Sequence, residues 1–186
     1  METVTSKTTG NDYLPTSRRQ TAQPHTSAMV SVDRAALWAE LEATRTAFLA
    51  FLDALSPGQW REKSPSSAWT QGEVALHLTW ALEQLPQEVA SARRGRGMFN
   101  SPKQLDGLAD ALSYWYTRWL ARKATPASIA LRYDAAMTAV LHSLDEVKDS
   151  DWALGAPFYG HGFYSIEDLF HTPAEHLAEH TGGLKR

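Results

Sequence analysis

The sequence of 186 residues predicts an all-α protein, and three observations support this prediction. From Asp33 onward, apolar residues recur at steps of three and four, which is the period of a helix with one buried face. Capping residues, prolines and glycines divide the chain into stretches of helical length. The sequence lacks the strict alternation of apolar and polar residues, bounded by turn residues, that indicates a β-hairpin. We therefore expect a single domain built as a bundle of helices.

Residues 1–28 are predicted to be a disordered N-terminal tail, followed by a helical domain over residues 29–186. The tail is rich in threonine, serine and proline, and its one aromatic residue is Tyr13. Such a composition buries too little apolar surface to offset the entropy lost when the chain is ordered. Met29 lies directly before the first periodic stretch, so Met1 and Met29 are both candidate starts of the natural protein.

The first two helices are predicted on either side of a polar loop. The first ends at residues 56–58, whose sequence Ser-Pro-Gly stops a helix. Thr70 and Glu73 open the second helix as a capping box, in which each side chain accepts a hydrogen bond from the backbone amide of the other residue. We expect Pro86 to kink this helix. The predicted inner faces of the two helices carry Leu37, Leu41, Phe48, Leu52 and Leu55, and Val74, His77, Leu78, Ala81 and Leu85.

Three further helical stretches are predicted in the second half of the chain. One covers residues 103–124 and lies as an extra helix between the second and third helices of a four-helix bundle. Thr125 and Pro126 start the third bundle helix as its N-cap and first residue, a position where proline loses no hydrogen bond. The last helix is predicted to begin at Ser165 and to be kinked or restarted at Pro173.

Composition and charge exclude several classes of function. The formal net charge is −3 and the isoelectric point is near 6.1, whereas domains that mainly bind nucleic-acid phosphates are strongly basic. The absence of cysteine excludes disulfides, thiolate metal sites and cysteine nucleophiles. No apolar run reaches the ~18 residues of a membrane span, and the first residues lack the apolar core of a secretory signal. We expect a cytoplasmic protein with no nucleic-acid or membrane partner.

Three of the seven histidines are placed so that their side chains can meet. His176 and His180 are four residues apart, which puts both on one face of a helix, about 40° from each other. His77 lies three residues after Val74 and four before Ala81, so it faces the interior of the predicted bundle. Imidazoles that converge from facing helices can hold a metal ion in a bundle. Three such ligands leave a coordination position open, as in catalytic zinc sites.

The same spacing also fits histidines that bind no metal. A histidine on an apolar helix face is commonly a hydrogen-bonded core residue, and a pair four residues apart also arises by chance. His171 is a rival ligand, but in a continuous helix it lies about 140° from His176 and faces elsewhere. From the residues alone, a metal site and a structural role for the histidines both stand as hypotheses.

Two segments of the sequence carry a resemblance to a known family. They are TQGEVALHLTWALEQ, which contains His77, and DLFHTPAEHLAEHTGGLKR, which contains His176 and His180. Both resemble the histidine-bearing helices of the DinB-like superfamily, which includes the maleylpyruvate isomerase N-terminal-like and the mycothiol- or bacillithiol-dependent transferase branches. Trp69, just before the second helix, and the segment DEVKDSDWALGAPFYGHGFYSIEDLF add to a resemblance that covers residues 30–184.

This resemblance implies a dimeric four-helix bundle with a divalent metal ion. In the family the ion is held by one histidine of the second helix and by a His-x-x-x-His pair of the last helix. The matching positions of this sequence are His77, His176 and His180. Zinc is the expected metal, with nickel and iron as alternatives, because imidazoles suit several metals. The thiol-transferase branch further implies a small-molecule substrate and a low-molecular-weight thiol that is ionised at the metal and attacks an electrophile.

Two functional hypotheses follow. The first is a metal-dependent thiol S-transferase or hydrolase that acts on a small electrophile or xenobiotic, with a water or thiol at the metal as the reacting group. Glu73, Glu175 and Glu179 are candidates for orienting its imidazoles, although glutamates so placed are more often capping or exposed groups. The second is a non-catalytic protein of the same fold that binds or sequesters a ligand or protects against stress. Some relatives lack the three histidines, so the fold alone implies no chemistry.

Overall fold

The computed structural model describes residues 32–65, 67–97, 116–158 and 162–182. Within these ranges two strands, β1 (Gly155–Pro157) and β2 (Phe163–Ser165), form an antiparallel hairpin, and residues 116–121 are helical. The long helices of the described residues are α1 (Arg34–Ala54), α2 (Gln71–Ala92), α3 (Pro126–Asp145) and α4 (Ile166–Thr181). The predicted all-α fold class is confirmed.

Capping side chains predicted from the sequence start three of these helices. Thr70 Oγ1 accepts a hydrogen bond from the Glu73 amide at 3.3 Å, and the Glu73 carboxylate accepts one from the Thr70 amide at 2.8 Å. Thr125 caps α3, with a proline as the first helical residue, and Ser165 forms a capping box with Asp168 at the start of α4. Because each cap is worth about 1 kcal/mol, these residues fix where the helices begin.

The four long helices share one apolar core. α2 packs against α3 and α4, and α1 packs against the same two helices. α2 and α4 run in opposite directions: Ala92 at the end of α2 and Leu169 at the start of α4 line one small cavity, while His77 near the start of α2 meets His180 at the end of α4. The fully buried core side chains include Leu41, Phe48, Val74, Ile129, Met137, Leu144, Ile166 and Phe170.

The sequence predicts a helix that is kinked or restarted at Pro173. α4 runs through this residue as one helix, so it does not restart there, and the kink stays a prediction. Proline has no amide to donate to the carbonyl four residues earlier, which is that of Leu169. The Thr172 hydroxyl takes this place and donates to the Leu169 carbonyl oxygen at 2.7 Å. The second half of α4 therefore extends the same helix that begins at Ser165.

The β1–β2 hairpin is an addition that the sequence did not predict. Its strands pair Gly155 with Ser165 and Pro157 with Phe163, three residues on each side. A strand of three residues is too short for an alternating pattern to be recognisable. Gly155 lies so close to the Tyr164 carbonyl that a β-carbon would overlap it, which accounts for glycine at this position.

Two sequence predictions fall partly or wholly outside the described residues. The tail over residues 1–28 lies wholly outside them, and of the extra helix over residues 103–124 only the part from residue 116 is described. The domain boundary at residue 29 therefore stays a prediction. None of the helices in the described ranges is long and apolar enough to cross a membrane.

Candidate metal centre

The structure brings together the three histidines that the spacing singled out. His77 lies in the second turn of α2, and His176 and His180 lie on one face in the second half of α4. All three residues are buried, with at most 9% of their surface exposed. The antiparallel packing of α2 and α4 brings the start of one helix to the end of the other, and this places the three rings together.

The ring nitrogens of the trio lie at distances that suit a metal ion. One ring nitrogen from each histidine lies within 4.8 Å of those of the other two. The Nε2 atoms of His77 and His176 are 3.1 Å apart, so that one ring donates a hydrogen bond to the other. Two imidazole nitrogens on a tetrahedral zinc ion lie about 3.3 Å apart, because each Zn–N bond is about 2.0–2.1 Å long. The trio therefore fits the ion with small movements of the rings.

Burial keeps the three imidazoles neutral at neutral pH. Burial lowers the pKa of His180. Burial, and to a smaller extent the charge of His180, lowers the pKa of His176 to about 3. The pKa of His77 falls well below its usual value of 6.5, first through burial and then through the charges of His176 and His180. A neutral imidazole is the form that binds a metal ion, so these rings need not lose a proton before binding.

Trp69 packs against two of the three imidazoles. Its ring centroid lies 4.5 Å from that of His77 and 6.4 Å from that of His180, and the Trp69 and His180 ring planes are 22° apart. The residue is 4% exposed. No spacing in the sequence indicates this contact, because it joins the loop before α2 to two helices that are distant in sequence.

The three glutamates expected to orient the imidazoles have different surroundings. The Glu73 carboxylate accepts hydrogen bonds from the Thr70 amide at 2.8 Å and from Arg118 Nε at 3.1 Å. Glu175 is exposed and Glu179 is half-buried. Capping and an ion pair already account for the position of Glu73, so an orienting role for any of the three stays a prediction.

His171 lies outside the group of His77, His176 and His180, as predicted from its angle of about 140° to His176 around the helix. Its Nδ1 atom lies 2.9 Å from a carboxylate oxygen of Glu40, which connects α4 to α1. His142 is exposed on α3, with its Nε2 atom 3.4 Å from the Glu146 carboxylate. Within the described ranges, the group of side chains spaced to hold a metal ion is His77, His176 and His180.

Sequence and structure comparisons place the chain in a family. A sequence model of the DinB superfamily matches residues 40–184, which is most of the chain. The chain belongs to the DinB superfamily. The resemblance seen in the two histidine-bearing segments is thereby confirmed, and the bundle described above is a DinB-like bundle. No curated protein sequence matches this DinB-superfamily chain significantly.

One solved structure shares the fold. This DinB-superfamily chain is similar to the crystal structure of the mycothiol-dependent maleylpyruvate isomerase, with a TM-score of 0.65 and 10% sequence identity. The similarity covers 86% of this chain and 63% of that chain, so the present chain spans less than two thirds of the length of that protein. At this level of identity the similarity concerns the fold.

Proposed function

We propose that this DinB-superfamily protein is a metal-dependent enzyme that acts on a small electrophilic molecule. It either transfers a low-molecular-weight thiol to that molecule or hydrolyses it. The observation that supports the proposal is the convergence of three buried, neutral imidazoles from two helices. Burying polar rings together costs free energy of hydration, which coordination to a metal ion offsets.

The proposed ligands are His77, His176 and His180, and the donor set favours zinc. Three neutral imidazoles are the ligand set of catalytic zinc sites, in which a further position stays available to water or substrate. Nickel and iron accept the same ligands and are the alternatives. When bound, the ion supplies Lewis acidity, which lowers the pKa of a water or thiol and polarises a carbonyl group.

The residues of the chain contribute binding, orientation and exclusion of water. α2 and α4 hold the three rings 4.9 to 5.4 Å apart between centroids. Trp69 and the burial of the site keep bulk water away from the three rings, and charge interactions are stronger there than in water. Because the chain has no cysteine, a thiol nucleophile has to come from a separate small molecule.

A structure of similar fold supports the thiol reaction, and the family resemblance supports the partners. The solved structure with a similar fold is that of an isomerase described as mycothiol-dependent, and this favours a thiol co-substrate over water. A small-molecule substrate, a homodimer and a cytoplasmic location are expected from the family resemblance. Light scattering of the purified protein measures its molar mass and thereby tests the dimer.

Elemental analysis tests the metal site. Untagged wild-type protein is compared with His77→Ala and His180→Ala, and circular dichroism checks the fold of each. We expect about one divalent ion per chain in the wild type and a large loss of metal in both variants, because each removes one of three ligands. The matched control is His142→Ala, which removes an exposed histidine of α3 and should keep the wild-type metal content. Absence of metal after incubation with zinc and nickel would show that the histidines are core residues.

Assays with thiols and electrophiles test the reaction. Metal-loaded protein is incubated with panels of low-molecular-weight thiols and small electrophiles, and with the electrophiles alone to detect hydrolysis. We expect a product whose formation is lost in His176→Ala. Bound metal without reaction in either panel would favour the non-catalytic alternative, a protein that binds or sequesters its ligand.

A further inference from the structure

The loop before α2 fixes Trp69 through its backbone. The Trp69 carbonyl oxygen accepts a hydrogen bond from the Ser64 amide at 2.8 Å, and the Trp69 amide donates to Ser67 Oγ at 3.3 Å. The next residue, Thr70, is the N-cap of α2 and is paired with Lys63 in an isolated β-bridge. The indole therefore projects from a short segment that is held by the loop on one side and by the helix cap on the other.

The indole and the imidazoles form one packed group of rings. The His77 ring centroid lies 4.5 Å from that of Trp69, 4.9 Å from that of His176 and 5.4 Å from that of His180. An imidazole can rotate about its last side-chain torsion, which has broad energy minima. A large flat neighbour at these distances restricts that rotation, and packed aromatic rings attract one another beyond the effect of the area they bury.

We propose that Trp69 is a positioning residue of the metal centre. Its indole fixes the orientation of the His77 and His180 rings and covers one flank of the group of imidazoles, which would limit the access of further ligands to a bound ion. Imidazole ligands are commonly oriented by hydrogen bonds to carboxylates or carbonyls, and here ring packing contributes to the same task. The inference rests on the proposed metal site and adds to it a residue that does not touch the ion.

A titration of metal-free protein with Co²⁺ tests this role without any assay of activity. The visible absorption of the ion reports both its affinity and its coordination geometry. Wild type is compared with Trp69→Phe, which keeps a smaller flat ring, and with Trp69→Met, which fills the space with a flexible apolar chain. We expect Co²⁺ affinity to fall from wild type to Phe to Met, with a loss of about 10-fold or more for Met. We also expect weaker absorption bands in the Met variant, because six-coordinate Co²⁺ absorbs less than four-coordinate Co²⁺.

Trp60→Met is the matched control. Trp60 belongs to the same loop and packs against Gly72 in the first turn of α2, so its replacement tests whether a looser loop alone weakens the site. We expect this variant to bind Co²⁺ with wild-type affinity and the wild-type spectrum. Equal losses in Trp60→Met and Trp69→Met would overturn the positioning role and assign the effect to loop stability.

The remaining outcomes separate this inference from the proposed function. If wild type and both Trp69 variants bind Co²⁺ equally, Trp69 has no positioning role and the metal site stands. If wild type binds no Co²⁺, the metal site and the inference both fail. If circular dichroism shows that Trp69→Met does not fold, Trp69→Phe decides: unchanged affinity and spectrum would refute the role of the indole.

Discussion

At the scale of single residues, the buried histidines make the metal-free protein sensitive to acid. In the unfolded chain a histidine titrates near pH 6.5, whereas burial in the folded protein lowers the pKa of His176 to about 3 and also lowers those of His77 and His180. Between these pH values the unfolded state binds more protons than the folded state. Acid therefore favours unfolding in this range.

We expect the free energy of unfolding of the metal-free protein to decrease as the pH falls below about 6.5, where unfolded histidines begin to take up protons. Each buried histidine contributes a slope of up to about 1.4 kcal/mol per pH unit, and the contribution is constant above the unfolded pKa. Urea denaturation between pH 8 and pH 4.5 measures the profile. His176→Leu should have a flatter profile than wild type, and His142→Ala serves as the control. An equally steep profile in His176→Leu would contradict the proposed origin of the slope.

The Thr172 hydroxyl replaces the backbone hydrogen bond that Pro173 cannot make. Its donation to the Leu169 carbonyl at 2.7 Å allows α4 to continue without leaving that oxygen unbonded. We expect Thr172→Val to reduce the free energy of unfolding by about 1 kcal/mol, as measured by urea denaturation.

A double-mutant cycle with Pro173→Ala isolates this interaction. Alanine restores an amide that can donate to the Leu169 carbonyl, so Thr172→Val should have a smaller effect in the Pro173→Ala background than in wild type. Additive effects of the two substitutions would show that the hydroxyl does not substitute for the missing amide.

At the scale of elements, the end of α3 is closed by a side chain of α1. The Arg34 guanidinium donates to the carbonyl oxygens of Leu144 at 2.7 Å, Asp145 at 3.1 Å and Val147 at 2.6 Å. Its central carbon also lies 5.2 Å from the centroid of the Trp152 ring. Carbonyls at a helix C-terminus lack a partner in the next turn of the helix. Arg34 donates to the last two carbonyls of α3 and to that of Val147 just after it, and so joins two elements that are distant in sequence.

We expect Arg34→Met to reduce the free energy of unfolding by about 2–3 kcal/mol, because it removes charge-assisted hydrogen bonds to partly buried carbonyls. Arg34→Lys should restore little of this loss. The guanidinium group presents a planar fork of donors to several carbonyls at once, whereas the compact ammonium group of lysine does not. The control is Arg94→Met, which removes an exposed arginine that lies just after the end of α2 and donates to Ser91 Oγ at 3.4 Å. A loss in Arg94→Met as large as in Arg34→Met would argue against the closing role of Arg34.

Features of the fold that depend on residues close together in the sequence could be predicted, and features that depend on distant contacts could not. The capping residues Thr70, Thr125 and Ser165 are visible in the sequence because a cap and its partner are three residues apart. The sequence left open whether α4 is kinked or restarted at Pro173, because the compensating hydrogen bond of the Thr172 hydroxyl forms only once the helix exists. The hairpin was not predicted because its strands of three residues are too short to show an alternation of apolar and polar residues.

At the scale of the whole molecule, His77 and His176 are 99 residues apart in sequence and 3.1 Å apart in space. The spacing of His176 and His180 and the inward position of His77 predicted that the three rings could meet, and the family resemblance assigned them together to one site. The contact of Trp69 with His77 and His180 and the distances between the three imidazoles were not predictable from the sequence, because both depend on how α2 and α4 pack.

A metal ion bound by both helices should stabilise the folded protein as a whole. At a free metal concentration 100 times the dissociation constant, binding to the folded state alone adds about 2.7 kcal/mol to the free energy of unfolding. We expect zinc to raise the melting temperature of wild-type protein and to leave that of His77→Ala nearly unchanged, as measured by differential scanning calorimetry. An equal rise in both proteins would place the bound zinc elsewhere.

The three imidazoles are packed together and shielded from solvent in the bundle. In energy-landscape terms this is a locally frustrated patch in a minimally frustrated bundle, and the proposed metal ion would account for it. Selection for stability alone would replace the three imidazoles by aliphatic side chains. Loss of one imidazole would also weaken the proposed metal binding, which is the benefit of keeping the other two. Within the lineage of this protein, the three histidines are therefore expected to be retained together or lost together over evolutionary time.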